Sequence, residues 1–316
     1  MRHGSLGFWQ HRRAKRQLPR VRSYSSADEP AFLGFIAFKA GMTHITMTDN
    51  SESPSKGSEI ARAATILEIP RVLIYGMRAY KKAYVYNEPF IEVYDGNSAK
   101  SVGIKGTKNT DLASFKSKVG EFDDIRALAF LDAKSAGSSN KRVMRFEIPI
   151  GGSDIQAKMA FVENWFGKEL KVSDILKSGE YIDVIGITKG KGWAGAIKRF
   201  GVAKQPRKAT GRIRHVGALG PFTPRKVIFS VPQAGHLGYN YRTELNKMVL
   251  KIGQSNSVSE INPKGGYPNY GVVKNEYIVI DGSVPGPAKR LLRIRKAMRK
   301  KSVSEPQIIY TSLESK

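Results

Sequence analysis

Tyr181-Ile182-Asp183-Val184-Ile185-Gly186-Ile187-Thr188 leads directly into Lys189-Gly190-Lys191-Gly192-Trp193. The first run is apolar and β-branched, the composition of a buried strand. The second changes character abruptly, and the change persists. From Val184 to Thr243 there is no Asp or Glu. The same span holds Lys189, Lys191, Lys198, Arg199, Lys204, Arg207, Lys208, Arg212, Arg214, Arg225, Lys226 and Arg242. Gly211, Gly217, Gly220, Pro221, Pro224, Pro232, Gly235 and Gly238 punctuate it, so it reads as irregular, extended chain. A core strand that opens into a long basic loop makes the loop an appendage of a body built elsewhere in the chain.

Two further stretches share this acid-free character. Met1 to Ala27 carries Arg2, Arg12, Arg13, Lys15, Arg16, Arg20 and Arg22. Gly282 to Ser304 carries Lys289, Arg290, Arg293, Arg295, Lys296, Arg299, Lys300 and Lys301. The three stretches hold about half of the 53 Lys and Arg and none of the 27 Asp and Glu, which leaves the remainder close to neutral. Solubility alone is served by interspersing both signs. Segregation of this kind points to a polyanionic partner.

At 316 residues and 41% hydrophobic composition, the chain supports one large domain or two ordinary ones with a real core. The absence of cysteine excludes disulfides, thiolate metal sites and a thiol nucleophile. Ala31 to Phe38 is too short to span a bilayer, and the start lacks the apolar core of a secretory signal. Met1 to Ala27 has the Arg and Ser content of a mitochondrial transit segment, but Gly4, Gly7 and Pro19 interrupt an amphipathic helix. A membrane surface would be met by a basic helix with a broad apolar face. Gly- and Pro-rich basic chain suits nucleic acid better.

The body reads as mainly β with a mixed insertion. Phe32–Phe38 and His44–Thr48 are expected as strands around a turn at Lys39-Ala40-Gly41, with a Ser/Gly/Pro loop at 50–58. Ala64–Ile69 and Val72–Met77 follow, broken at Pro70. From Asp111 to Lys177 the pattern turns helical, with a strand at Val143–Ile148. Ser153 and Gln156 have capping-box spacing, and Ile155, Met159, Val162 and Phe166 form one helical face that reads as core. Met248–Ile252, Tyr277–Ile280 and Leu291–Ile294 are short strands. Their Gly and Pro punctuation predicts an antiparallel barrel or sandwich. The expected organisation is a basic extension at 1–27, the first barrel part at 28–100, the insertion at 101–178, a barrel strand at 179–188, the basic loop at 189–242 and the last barrel part at 243–316.

Motifs for catalysis fail on inspection. Gly190, Gly192 and Gly195 spell GxGxxG, but a dinucleotide site needs an acidic ribose ligand about 20 residues on, and no acid appears before Glu244. Glycines flanked by Lys189 and Lys191 instead suit backbone that must approach a phosphate chain closely. His3, His11, His44, His215 and His236 lack zinc-like spacing. Trp193, Phe200, Phe222, Phe229, Tyr239 and Tyr241 lie within the basic loop. Such aromatics stack on unpaired bases or return the chain to the core. Phe229 is expected to return to the core. Pro221, Phe222 and Thr223 are expected at an exposed tip between basic arms.

The chain is similar, nearly end to end, to the universal large-subunit ribosomal protein three family of archaeal and eukaryotic type. Gly4-Ser5-Leu6-Gly7-Phe8 resembles its N-terminal extension, and Lys39 to His44 its first-hairpin signature. Asp183 to Trp193 with Arg199, and Gly235 to Tyr239 with Arg242 to Lys247, resemble its central blocks. Gly265 to Pro268, Tyr270-Gly271, Pro285 to Pro287 and Lys289-Arg290 resemble its C-terminal ones. The resemblance implies a translation-protein-type β-barrel with an inserted domain, a long basic tail and a central finger. It implies an rRNA-binding structural protein of the cytoplasmic ribosome, active in early subunit assembly. Its finger would reach toward the peptidyl transferase centre. The partners implied are 23S rRNA and neighbouring large-subunit proteins, with no membrane, small-molecule substrate, cofactor or metal site; rRNA-associated Mg²⁺ would accompany the RNA. The residues implied in rRNA contact are the cations named above from Arg2 to Arg22, those from Lys189 to Arg242, and Lys289, Arg290, Arg293 and Arg295. Trp193, His215 and His236 join them. Two departures stand out: Phe222 where the family usually has Trp, and Thr210 where eukaryotic relatives often carry a modifiable His. A stand-alone RNA- or DNA-binding module and an RNA-modifying enzyme are the alternatives.

Overall fold

In the computed structural model the described residues are 5, 13–84, 86–101, 103, 112–136, 143–209, 211–300, 303 and 305–314. Contacts divide the chain into two units. One joins residues up to Gln17 to Ile187–Arg242, and the other joins Leu18–Gly186 to Thr243–Lys316. Mainly β structure is found, as the alternation and punctuation predict.

The larger unit is built on two antiparallel sheets. The first contains β1 (Gly34–Thr48), β2 (Glu59–Ile69), β7 (Tyr181–Ile187), β10 (Tyr241–Gly253), β11 (Glu276–Asp281), β12 (Leu291–Lys296) and β13 (Ile308–Thr311). Their order is β12-β7-β10-β11-β2-β1-β13, and β1 also pairs with β12. Gly34 opposes Arg295 and Phe38 opposes Leu291, so the pairings run from β1 through β2, β11, β10, β7 and β12 back to β1. Ile36, Phe38, Ile66, Leu67 and Tyr277 are fully buried among them.

The expected turn at Lys39-Ala40-Gly41 is instead a register shift inside one 15-residue strand. A β-bulge accommodates the extra residue without reversing the chain. Ala40 is fully buried, and a Cβ on Gly41 would lie 2.4 Å from the Tyr267 ring. Glycine is therefore demanded there by close packing and not by turn geometry.

The second sheet has the order β4-β3-β5-β6, from β3 (Val72–Lys82), β4 (Asn87–Tyr94), β5 (Asp124–Leu131) and β6 (Met144–Pro149). Pro70 and Arg71 separate β2 in one sheet from β3 in the other. β5 falls in the stretch that reads as helical. Its Ala127 and Ala129 are strong helix formers, but pairing with β3 and β6 buries them completely. Among the described residues four short α-helices accompany the strands: α1 (Gly96–Ser101), α2 (Leu112–Ser117), α3 (Ile155–Glu163) and, in the smaller unit, α4 (Ala196–Phe200). Asp154, not Ser153, caps α3, accepting from the Gln156 and Ala157 amides at 3.0 and 3.3 Å. Val162 on its inner face is fully buried, and Ile155, Met159 and Phe166 pack beside it against the core.

Glu68, on β2, is a fully buried carboxylate. It accepts from the Lys274 and Asn275 amides at 3.0 and 3.1 Å, from Asn275 Nδ2 at 2.7 Å and from the Tyr270 hydroxyl. Loss of this acceptor strands four donors. Glu68→Ala is expected to destabilise the unit by about 3 kcal/mol in urea unfolding, with an unchanged m-value.

Candidate nucleic-acid interface

In the smaller unit, the chain leaving β7 turns through Lys189 to Gly192 and enters a two-residue strand, β8 (Trp193–Ala194). It pairs with β9 (Gly235–His236), Trp193 opposite His236 and Ala194 opposite Gly235. Thr188 N donates to Asn240 O at 3.0 Å, and Lys191 N to Leu237 O at 2.9 Å. The outgoing and returning arms are thus tied together at their base. Arg199 reinforces the tie: Nε donates to His236 O and a terminal nitrogen to Gln233 O, each at 3.1 Å. Burial pulls its pKa below the usual arginine value. A Cβ on Gly235 would stand 2.7 Å from that guanidinium. Arg199, expected as an RNA contact, here bonds the two arms together.

The GxGxxG glycines do not open a phosphate-binding helix. Gly190 and Gly192 lie in the turn before β8, and Gly195 precedes α4, which has five residues and ends at Gly201 in the left-handed region. Gly238 is the glycine the geometry demands most. Its φ is +79°, and an added Cβ would lie 2.0 Å from Lys189 O. Gly238→Ala is expected to cost about 3 kcal/mol, read as earlier melting of the basic unit by hydrogen exchange.

A cleft of about 450 Å³ lies within this unit, lined by Arg13, Lys15, Gly190, Gly192, His236 and Gly238 among others. The Ala14 amide donates to Tyr239 O at 2.8 Å and fixes the tail segment there. Two cations and bare glycine backbone around a concavity suit the oxygens of a phosphate. No sequence pattern marks Ala14 or Gly238 for these tasks; both follow from how the arms meet.

Beyond the base, no described residue from Ala203 to Phe229 is buried. Lys204, Arg207, Lys208, Arg212, Arg214, His215, Arg225 and Lys226 are all exposed there. So are Arg13, Lys15, Arg16, Lys189, Lys191, Lys198 and His236, while Arg242 is half-buried and bonds Tyr241 O. Trp193 is 69% exposed and stands edge-on to His236 at 5.2 Å. Pro221, Phe222 and Thr223 are exposed, with the Arg225 guanidinium 4.7 Å from the Phe222 ring centre. Phe229 does not return to the core: it is 77% exposed.

The remaining expected contacts fall in the larger unit. Arg20, Arg22 and Lys289 are exposed, and Arg290 and Arg293 are half-buried. Arg295 corrects its expectation. It is buried, and its Nε and a terminal nitrogen lie 3.1 and 3.0 Å from a carboxylate oxygen of the fully buried Asp183. Its charge is used inside the fold. Arg2, Arg12, Lys301 and Thr210 lie outside the described residues, as does most of the Gly4–Phe8 block. Among the described residues no three His, Asp or Glu side chains gather as a metal site, and no helix is long and apolar enough to cross a membrane.

The family model described as Ribosomal protein L3 matches residues 1–123 and 104–310. The large ribosomal subunit protein uL3 of Methanobrevibacter smithii is 39% identical over 326 residues, spanning 100% of this chain and 97% of its own length. Its namesakes in Methanothermobacter thermautotrophicus and Methanocaldococcus jannaschii are 38% and 40% identical, with the same coverage.

Proposed function

The chain belongs to the ribosomal protein L3 family, and on that premise we propose how its two units divide the work. The protein is a structural constituent of the large ribosomal subunit, of archaeal type, and not an enzyme. The basic unit binds 23S rRNA. The observation that carries this reading is a loop with many exposed cations, no buried residue among those described from Ala203 to Phe229 and no acid between Val184 and Thr243. Such a segment cannot offset its ordering entropy by apolar burial, and phosphate neutralisation supplies what the core does not.

In this reading residues 189–242 are the finger, and Pro221, Phe222 and Thr223 form the tip that extends toward the peptidyl transferase centre. Phe222 keeps a stacking face but lacks the indole donor of tryptophan. The cleft beside Arg13 and Lys15 takes backbone phosphate. The strand ring from β1 round to β12 is read as a translation-protein-type barrel that meets neighbouring large-subunit proteins. Mg²⁺ would come with the RNA. Early subunit assembly and residence on the cytoplasmic ribosome follow from the same premise.

Sedimentation of cell lysate through sucrose gradients at moderate and then high salt tests this. Co-migration with the large subunit that survives high salt is expected. Release into light fractions at moderate salt would overturn it in favour of a peripheral nucleic-acid-binding module.

A further inference from the structure

The outer face of the four-stranded sheet carries a ladder of paired charges. Arg78 contacts Glu92, with Nε to Oε1 at 2.6 Å, and also Glu147. The Tyr80 hydroxyl donates to the other Glu147 oxygen at 2.7 Å. Arg126 lies 3.4 Å from that same oxygen and 3.5 Å from Asp124, and Lys158 lies 3.3 Å from Asp124. Three cations therefore meet three carboxylates. Arg293 stands outside these pairs. Its guanidinium donates to the backbone oxygen of Glu147 at 3.2 Å and lies 5.7 Å from the Phe146 ring centre; no carboxylate of the described residues is within ion-pair distance. A half-buried cation of this kind is electrostatically incomplete.

Arg293 and Arg126 both line a cleft of about 220 Å³ within the larger unit, together with Tyr24, Phe146 and Glu147. Tyr24 is half-buried, and its hydroxyl has no partner among the described residues. Burial holds that phenol in its protonated, donating form. The cleft so presents one guanidinium outside any ion pair of the described residues and one unused O–H donor. Both Glu147 oxygens are already engaged by Arg78, Tyr80 and Arg126.

We propose that this cleft is an oxyanion site that takes a single RNA backbone phosphate, bound by Arg293 and the Tyr24 hydroxyl with Arg126 lending its field. It is a contact made by the larger unit's own sheets, in addition to those of the basic loop. It rests on the RNA-binding reading above for its occupant, though not for the anion chemistry. A monoanion would balance the one unpaired charge and accept both free donors.

The test uses the full chain and two readouts. In the first, binding to 23S rRNA is titrated over a range of KCl for the wild type, Arg293→Gln and Tyr24→Phe, with thermal unfolding followed alongside. Arg293→Gln is expected to shallow the log–log salt slope by about 0.7–0.9, the increment of one phosphate contact. Tyr24→Phe, which removes only the hydroxyl, is expected to weaken binding severalfold without changing the slope. In the second, the Arg293 Nε–H NMR signal of the protein alone is followed as inorganic phosphate is added, with chloride at matched ionic strength as control. A saturable shift with phosphate and none with chloride is expected. A phosphate shift with unchanged RNA slopes would assign the cleft to free phosphate and overturn the RNA occupant. No shift, with unchanged RNA binding in both variants, would overturn the site itself. If the wild type fails to bind rRNA, the ribosomal reading fails, and the NMR arm still decides the anion site.

Discussion

Removing Lys204 to Lys226, with the ends rejoined by a short Gly-Ser linker, is expected to flatten the salt dependence of rRNA binding and leave the larger unit's unfolding midpoint within about 1 °C. The deletion takes out Lys204, Arg207, Lys208, Arg212, Arg214, Arg225 and Lys226. At roughly 0.7–0.9 per neutralised phosphate, the log–log slope should fall by up to about 6. Affinity should drop by orders of magnitude at low salt, and the gap should close as salt rises. Stability should hold because none of the deleted residues that are described is buried. The internal bonds lost are local, such as Gln205 N to Ile213 O at 2.9 Å. The base of the loop survives, since Arg199, β8 and β9 all lie outside the deletion. Filter binding over a KCl series with circular-dichroism melting checks both halves. Loss of cooperative unfolding would show that the loop is part of the core after all.

Asp183→Ala is the second large effect, and it should act in the opposite way, through the fold. Asp183 is fully buried on β7. One carboxylate oxygen accepts from the Asn246 amide at 3.0 Å, and the other meets Arg295 on β12. Arg295 in turn donates to the Ser23 carbonyl and to the Ser23 hydroxyl, the latter at 2.9 Å. Three strands and the start of the chain's larger unit converge on one carboxylate. Truncating it leaves a buried guanidinium uncompensated and an amide without its acceptor, which costs about 3–5 kcal/mol. Urea unfolding should show that loss with little change in m-value. Asp183→Asn should recover part of it, because the amide oxygen still accepts. Replacing the pair by Asp183→Leu with Arg295→Met should cost far less than either single change, as removing both charges removes the desolvation penalty. A double variant as unstable as Asp183→Ala would refute the pairing as the cause.

The candidate interface was legible in the sequence where charge alone defines it. An acid-free run of Lys and Arg with Gly and Pro can neither pack nor pair internally, so exposure of the cations between Lys204 and Lys226 follows from composition. Strands with bulky β-branched residues were legible too: β2, β7, β11 and β12 fall where the alternation puts them. What composition could not separate is a cation that faces outward from one that closes an internal pair. Arg293 and Arg295 are two residues apart on the same strand and identical in type. One lines a cleft without a carboxylate partner among the described residues, and the other is buried on Asp183.

The sequence by itself determined the segregation of charge, the β character of the body and the helical face of α3, since these depend on residue type and short-range spacing. Only the tertiary structure decided the rest. β5 became a strand because β3 and β6 flank it, against the helix preference of its alanines. Lys39 to Gly41 became a bulge because β2 runs on past it and Tyr267 closes over Gly41. In each case the deciding partner is remote in sequence, and propensities of less than about 1 kcal/mol per residue yield to the pairing and burial that such partners supply.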